Sequence, residues 1–191
     1  MNDMENVRFL EGKKVYLRPI EAADTNWYFS TLYDKETRRL TGTQRHHTRE
    51  QIASYIEAKS QDSSSVLLLI ATCSDDAPIG DIAIQDIDTM NRNANIRIAL
   101  TDGSQNKGYG TEALQLMLEY GFGVLNLHRI ELNVFSYNHR AVRVYEKVGF
   151  KQEGVQREAL FYNHEYHDSI LMSILEDEYK VIKQKLATKD S

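Results

Sequence analysis

The segment QNKGYGTEAL, Gln105 to Leu114, sets two glycines either side of a tyrosine and then opens a helical pattern. Glycines so placed let the backbone enter φ > 0 or approach a ligand closely. The helix that follows offers unpaired N–H groups and the positive end of its dipole. An anion suits such a turn, met by the successive N–H groups of Gln105, Asn106, Lys107, Gly108, Tyr109, Gly110 and Thr111. Two familiar phosphate motifs compete for the same residues. Gly103 and Gly108 have the spacing of a nucleotide-triphosphate loop, but Tyr109 stands where that loop needs lysine, and no serine or threonine follows it to bind magnesium, so this reading is discarded. GYGTEA also matches a dinucleotide fingerprint, with Glu131 about 20 residues further on. Against it, Glu131 falls inside its strand, and strand-turn-strand patterns rather than βαβ units precede the glycines.

The elements that must hold this turn are readable from periodicity. A short strand runs from Val15 to Arg18, and a helix is expected from Ala22 to Tyr33. A second helix starts at Thr48, with Gln51 completing a capping box. SVLLLIATC, PIGDIAIQDID and NANIRIAL then alternate as three strands of an antiparallel meander. After the glycines, Ala113, Met117, Tyr120 and Val124 share one helix face, and that helix ends between Gly123 and Asn126. HRIELNVF is the next strand. The following helix is capped by Asn138 and stopped at Gly149. Strands near Phe150–Arg157 and His167–Ile174 and a charged terminal helix from Leu175 complete the chain.

Composition bounds the function. The chain of 191 residues is 41% hydrophobic and 27% charged, which suits one domain, residues 1–191, with a packed core. The formal net charge of −5 and the lack of a lysine-arginine block argue against nucleic acid as a partner. No apolar run approaches the roughly 18 residues of a membrane span, and the start lacks a secretory pattern, so a cytoplasmic protein with no membrane partner is expected. The single Cys73 reads as a buried strand cysteine, and neither the His46–His47 pair nor HEYH has zinc-protease spacing, so no metal is expected.

LTDGSQNKGYGTEALQLMLEYGF followed by LHRIELNVFSYNHRAVRVYEKVGF strongly resembles the GNAT N-acetyltransferase superfamily. Its acyl-CoA signature is present as Gln105, Gly108 and Gly110. Its second signature is present as Asn138, Tyr145, Gly149 and Phe150. With VYLRPIEAAD and FYNHEYHDSILMSIL the likeness spans nearly the whole chain. It is nearest the branch holding ribosomal-protein N-terminal and spermidine acetyltransferases. The resemblance implies an α+β fold, an α/β/α sandwich with a mixed, mostly antiparallel sheet splayed in a V at the acyl-CoA site. It implies acetyl-CoA as cosubstrate, its pantetheine arm lying between Asn95–Leu100 and Arg129–Val134 against the backbone of Ile98, Ala99 and Leu100. Asn133, Asn138 and Tyr145 should approach the arm or its sulfur, with Tyr145 as general acid. Family members often pair, so a homodimer is one implied assembly.

Acetyl transfer to an amine requires the amine to lose a proton before attack and the leaving thiolate to gain one, since amines titrate near ~10 and thiols near ~8.5. The base is open. Ribosomal-protein alanine acetyltransferases carry a central-strand glutamate where this chain has Asn133, and Glu131, Asp81, Asp86, Glu165 and His167 are the other candidates. The acceptor is expected to be a primary amine of a small molecule or a peptide N-terminus. Spermidine or another polyamine is the alternative, weakened because TRRLTGTQRHHTRE, joining the first two helices, is basic where the polyamine enzymes are acidic and Asn95 stands where they carry glutamate. Trp27 and Phe29 are candidates to border the acceptor groove. A non-catalytic acetyl-CoA-binding module is the alternative from another class.

Overall fold

The computed structural model describes residues 7–188. One eight-stranded sheet runs in the order β1-β2-β3-β4-β5-β6-β8-β7. Its strands are β1 Leu10–Glu11, β2 Val15–Pro19, β3 Val66–Thr72, β4 Pro78–Asp88, β5 Asn93–Leu100, β6 Arg129–Phe135, β7 Lys151–Tyr162 and β8 Glu165–Leu175. Every neighbouring pair is antiparallel except β5 and β6. The expected mixed, mostly antiparallel sheet is therefore present.

Helices cover both faces because the strands alternate. Leu68, Ile70, Ile82, Ile84 and Ile96 point to a core shared with Ala113, Leu114, Met117 and Leu118 of α4 (Tyr109–Gly123) and with Tyr145 and Val148 of α5 (His139–Val148). The intervening Leu67, Leu69 and Ala83 face the other way. They pack on Tyr28 of α1 (Thr25–Thr31) and on Ile52 and Ile56 of α3 (Arg49–Gln61). The same alternation sends the odd-numbered Asp81 and Arg97 to this second face. A terminal helix, Glu176–Ala187, follows β8, and no helix among the described residues is long and apolar enough to cross a membrane.

Several boundaries differ from the sequence expectation. The first helix is a 3₁₀ turn, Ala22–Asp24, followed by the shorter α1. The basic joining stretch contains a further helix, α2 (Lys35–Thr41). Asp34 caps α2 by accepting from the Thr37 N–H at 2.6 Å, and Gly42 ends it at φ +66°. On α4 the buried stripe takes in Gly121 and Phe122, while Val124 lies 68% exposed. Gly121 explains this, because it lets the helix rest against Ile130 and Ile84. Cys73 lies just beyond β3, half-buried, its thiol directed at the Gly12 carbonyl oxygen at 3.8 Å.

Gly80 on β4 is the position where the sheet tolerates no side chain: a Cβ would run into the carbonyl oxygen of Ala99 and approach the Leu100 side chain to 2.8 Å. Gly80→Ala is expected to destabilise the fold by about 1–3 kcal/mol, the usual cost of overpacking. Thermal denaturation checks it, with an unchanged midpoint as the contrary result.

Candidate active site

The sheet opens where its two parallel strands part. β5 and β6 are paired only from Asn93↔Arg129 to Asn95↔Glu131. From Ile96 to Leu100, β5 hydrogen-bonds to β4 alone, and from Leu132 to Phe135, β6 bonds to β8 alone. Two strand edges thus face each other across a wedge with free backbone donors and acceptors, a seat for an extended ligand that adds like a strand. The wedge opens into a cleft of about 760 Å³.

The glycine turn forms one end of this cleft. Asn106 and Gly108 are left-handed, at φ +62° and +84°. Gly108 is the N-cap of α4 and supplies no side-chain cap, and the N–H groups of Tyr109, Gly110 and Thr111 have no partner among the described residues. Such donors at a helix start favour an anion. The carboxylate of Glu112 turns the other way, accepting from the N–H groups of Lys13, Lys14 and Val15 at 2.8, 2.8 and 2.9 Å, which anchors α4 to the sheet. Glycine at 108 answers to its left-handed φ, since a Cβ there would meet only the Lys14 ammonium, at 3.4 Å. Gly110 answers to packing, 3.2 Å from Leu100.

Most sequence-predicted site residues gather here. Ile98, Ala99, Leu100, Gln105, Asn106, Gly108, Tyr109, Gly110, Thr111, Asn133, Asn138 and Tyr145 all line the cleft. Lys107 does not: it is exposed, and its carbonyl accepts from the Lys14 ammonium at 3.1 Å. Asn138 caps α5 by accepting from the Ala141 N–H at 3.1 Å, and the Asn133 amide donates to the Ser169 hydroxyl at 3.2 Å. Tyr145, 8% exposed, packs edge-on against Phe150, and its hydroxyl has no hydrogen-bond partner among the described residues. Burial pushes this phenol up to about 12, so it is protonated throughout the neutral range.

Of the five candidate bases only Asp81 lines the cleft. Glu131 is held by Arg129 at 2.8 Å, Asp86 is exposed at a bulge in β4, Glu165 is exposed at the β7–β8 turn, and His167 packs on Tyr137. Asp81, 6% exposed, is the cross-strand neighbour of Ala99. It accepts from Arg97 Nη1 at 2.5 Å and from the Tyr28 hydroxyl at 3.5 Å. Burial would lower the basicity of Arg97, but the charge of Asp81 and the neighbouring tyrosines more than reverse this and hold it well above its ordinary value. Burial, reinforced by Asp81, likewise raises Tyr28 far enough to keep its hydroxyl protonated. Trp27 borders the cleft as expected. Phe29 does not: its ring packs at a tilt against Tyr33 and lies beneath the Arg49 guanidinium.

Sequence reasoning missed Arg97, and also Arg140, Arg143 and Lys147, which line the cleft from α5. The signals were legible: a charge inside the alternating strand NANIRIAL, and cations recurring at helical spacing after the Asn138 cap.

A sheet split between parallel strands, beside a glycine turn and an uncapped helix start, is a seat for an extended ligand that carries an anion at one end. The chain belongs to the acetyltransferase (GNAT) family, whose domain model matches residues 14–151. It is similar to the spermidine N(1)-acetyltransferase of Escherichia coli (strain K12), 27% identical over 86% of this chain and 88% of that protein. It is 32% identical to the probable N-acetyltransferase YjcK of Bacillus subtilis (strain 168), over 87% of this chain and 96% of that one. The crystal structure of spermidine N-acetyltransferase from Vibrio cholerae in complex with CoA and spermine superposes with a TM-score of 0.82 at 25% identity, covering 86% of this chain and 97% of that one.

Proposed function

We propose that this enzyme moves the acetyl group of acetyl-CoA to a primary amine of a small molecule, with Tyr145 as general acid and Asp81 as the carboxylate that receives the amine's first proton. The carrying observation is that the splayed strand edges, the uncapped α4 start, Tyr145 and Asp81 all border one cleft. The residues suit the donor: orphan N–H groups at Tyr109, Gly110 and Thr111 for its pyrophosphate, and the β5 edge at Ile98, Ala99 and Leu100 for its amide-bearing arm.

An ammonium acceptor gives one proton to Asp81, directly or through water, and its nitrogen attacks the thioester carbon. As the carbon–sulfur bond breaks, the Tyr145 hydroxyl protonates the leaving thiolate. The phenolate regains a proton from the nitrogen, which is an amide at the end. Asp81 releases its proton to solvent, which restores the starting state.

The cations on α5 fit a donor that carries several phosphate charges. Arg143→Glu is expected to raise the KM for acetyl-CoA roughly tenfold, an effect shrinking as salt is added. Steady-state kinetics at two ionic strengths checks it, and an unchanged KM removes α5 from donor binding.

The decisive experiment is release of free CoA thiol from acetyl-CoA across spermidine, N-terminal peptides, amino acids, amino sugars and aminoglycosides. A selective acceptor supports the enzyme reading. Tight acetyl-CoA binding with silence across the panel supports the non-catalytic module. Spermidine has first place in the panel because of the relatives named above.

A further inference from the structure

The acceptor half of the cleft has an electrostatic composition that narrows the substrate. Its walls combine aromatic and leucine side chains, Trp27, Tyr28, Leu32, Leu40 and Tyr55, with threonines of α1, α2 and the stretch after α2, and the charged side chains within it are Asp81 and Arg97. Among the described residues Asp81 is the one carboxylate lining the cleft, against four cations, Arg97, Arg140, Arg143 and Lys147. A polycation entering the acceptor half meets no surplus of negative charge, since the three α5 cations face the donor and the single carboxylate it finds is already bonded to a guanidinium at 2.5 Å.

Arg97 is also incompletely used. Its Nη1 donates to Asp81, and its Nη2 donates to the Tyr28 and Tyr55 hydroxyls at the long distances of 3.4 and 3.3 Å. A guanidinium has five N–H groups, so two remain without a partner among the described residues. The side chain keeps 31% of its surface exposed, and that surface faces the cleft. An arginine whose sole task was to neutralise Asp81 would not need to line the cavity. One that also meets an anion would: the free N–H groups, on Nε and Nη1, lie on different edges of the guanidinium, and a substrate carboxylate gains a paired fork by taking the place of Asp81 on Nη1.

Building on the acetyl-transfer reading, we infer that the acceptor carries a carboxylate close to its amine, a free amino acid with an apolar side chain, with Arg97 binding the carboxylate and Asp81 the ammonium. The adjacent, oppositely charged anchors exchange partners with the zwitterion, so that neither buried charge is left alone. The aromatic and leucine walls take the side chain. Asp81 lies across from Ala99, one strand away from the free β5 edge, and both residues line the cleft, so an amine held at Asp81 shares that cleft with the donor's arm.

The test compares free phenylalanine, leucine and methionine with their amides, with the amines lacking the carboxyl group, and with spermidine. Turnover is followed by CoA thiol release and binding by calorimetry in the presence of CoA. A free acid is expected to exceed its own amide in kcat/KM by about 30- to 100-fold, chiefly through KM, the worth of a charge-assisted bond to a half-buried arginine. Arg97→Gln should erase the acid-to-amide ratio, and Arg97→Lys should restore only part of it, because lysine keeps the charge but not the fork. Amides or spermidine matching or exceeding the acids in the unaltered enzyme would overturn the inference without needing any variant to fold. Calorimetry separates the two levels: Arg97-dependent binding of the acid without turnover overturns acetyl transfer but upholds the carboxylate anchor. Turnover of amide and acid alike does the reverse.

Discussion

Replacing Tyr145 with phenylalanine is expected to lower kcat by about 100- to 1,000-fold, within the range general acids contribute, while leaving affinity for acetyl-CoA within about twofold. The substitution is clean for a structural reason. The hydroxyl has no hydrogen-bond partner among the described residues, and the ring that replaces it keeps the edge-on contact with Phe150, so the variant loses no protein–protein interaction. The fold should therefore stay at least as stable. What disappears is the proton for the leaving thiolate, a demand that arises as the carbon–sulfur bond breaks, which is why kcat rather than donor affinity falls. The pH dependence is a second check. With its pKa raised to about 12 by burial, Tyr145 stays protonated through the alkaline range where free tyrosine, near 10, ionises. The stability that goes with the neutral phenol is present below pH ~10 and is lost as the pH climbs towards 12. Loss of activity with a midpoint below pH ~9 must then come from another group. A Tyr145→Phe enzyme with kcat within about threefold of the unaltered one would remove Tyr145 from the chemistry.

The parts of this architecture that were legible in the sequence are those governed by local rules. PIGDIAIQDID and NANIRIAL read as strands with the boundaries β4 and β5 have, because each is a continuous alternation closed by turn residues. The Thr48 capping box and the Asn138 cap are likewise local, one side chain meeting one N–H three residues on. The glycine turn was legible too, and at Gly108 the left-handed backbone, φ +84°, is a reason for glycine. What eluded the sequence is contact between elements distant in the chain. Asp81 was one carboxylate among several until Arg97, Tyr28 and Tyr55 from three other elements closed around it. Glu131 was equally eligible, and only the pairing of Arg129 with both Glu131 and Glu153 sets it apart. The missed helix α2 is a different case. Asp34 and Gly42 mark its ends in the sequence, but its single buried residue, Thr37, leaves no apolar stripe to find.

Gly108→Asp is expected to weaken CoA binding at least 100-fold, for two reasons that a companion variant separates. The first is conformational: at φ +84° a residue with a Cβ costs about 1–2 kcal/mol, less for asparagine and aspartate, which visit the left-handed region more readily. The second is electrostatic. The new carboxylate would stand at the N-cap of α4, beside the orphan N–H groups of Tyr109, Gly110 and Thr111 that the pyrophosphate needs. A like charge some 4–5 Å away at an effective dielectric near 20 costs about 3–4 kcal/mol, which is more than a hundredfold in affinity. Lys14 lies close enough to meet the aspartate, 3.4 Å from the Cβ position, and this pairing eases folding of the variant. It does not restore the ligand, because the same carboxylate occupies the helix start and draws the nearby cation to itself. Gly108→Asn bears nearly the same backbone strain without the charge, and is expected to lose no more than about tenfold. Calorimetric titration of both variants with CoA therefore assigns the loss. Equal weakening by Asn and Asp would make the turn's conformation the whole requirement, and undiminished binding by Asp would mean that no anion sits on α4.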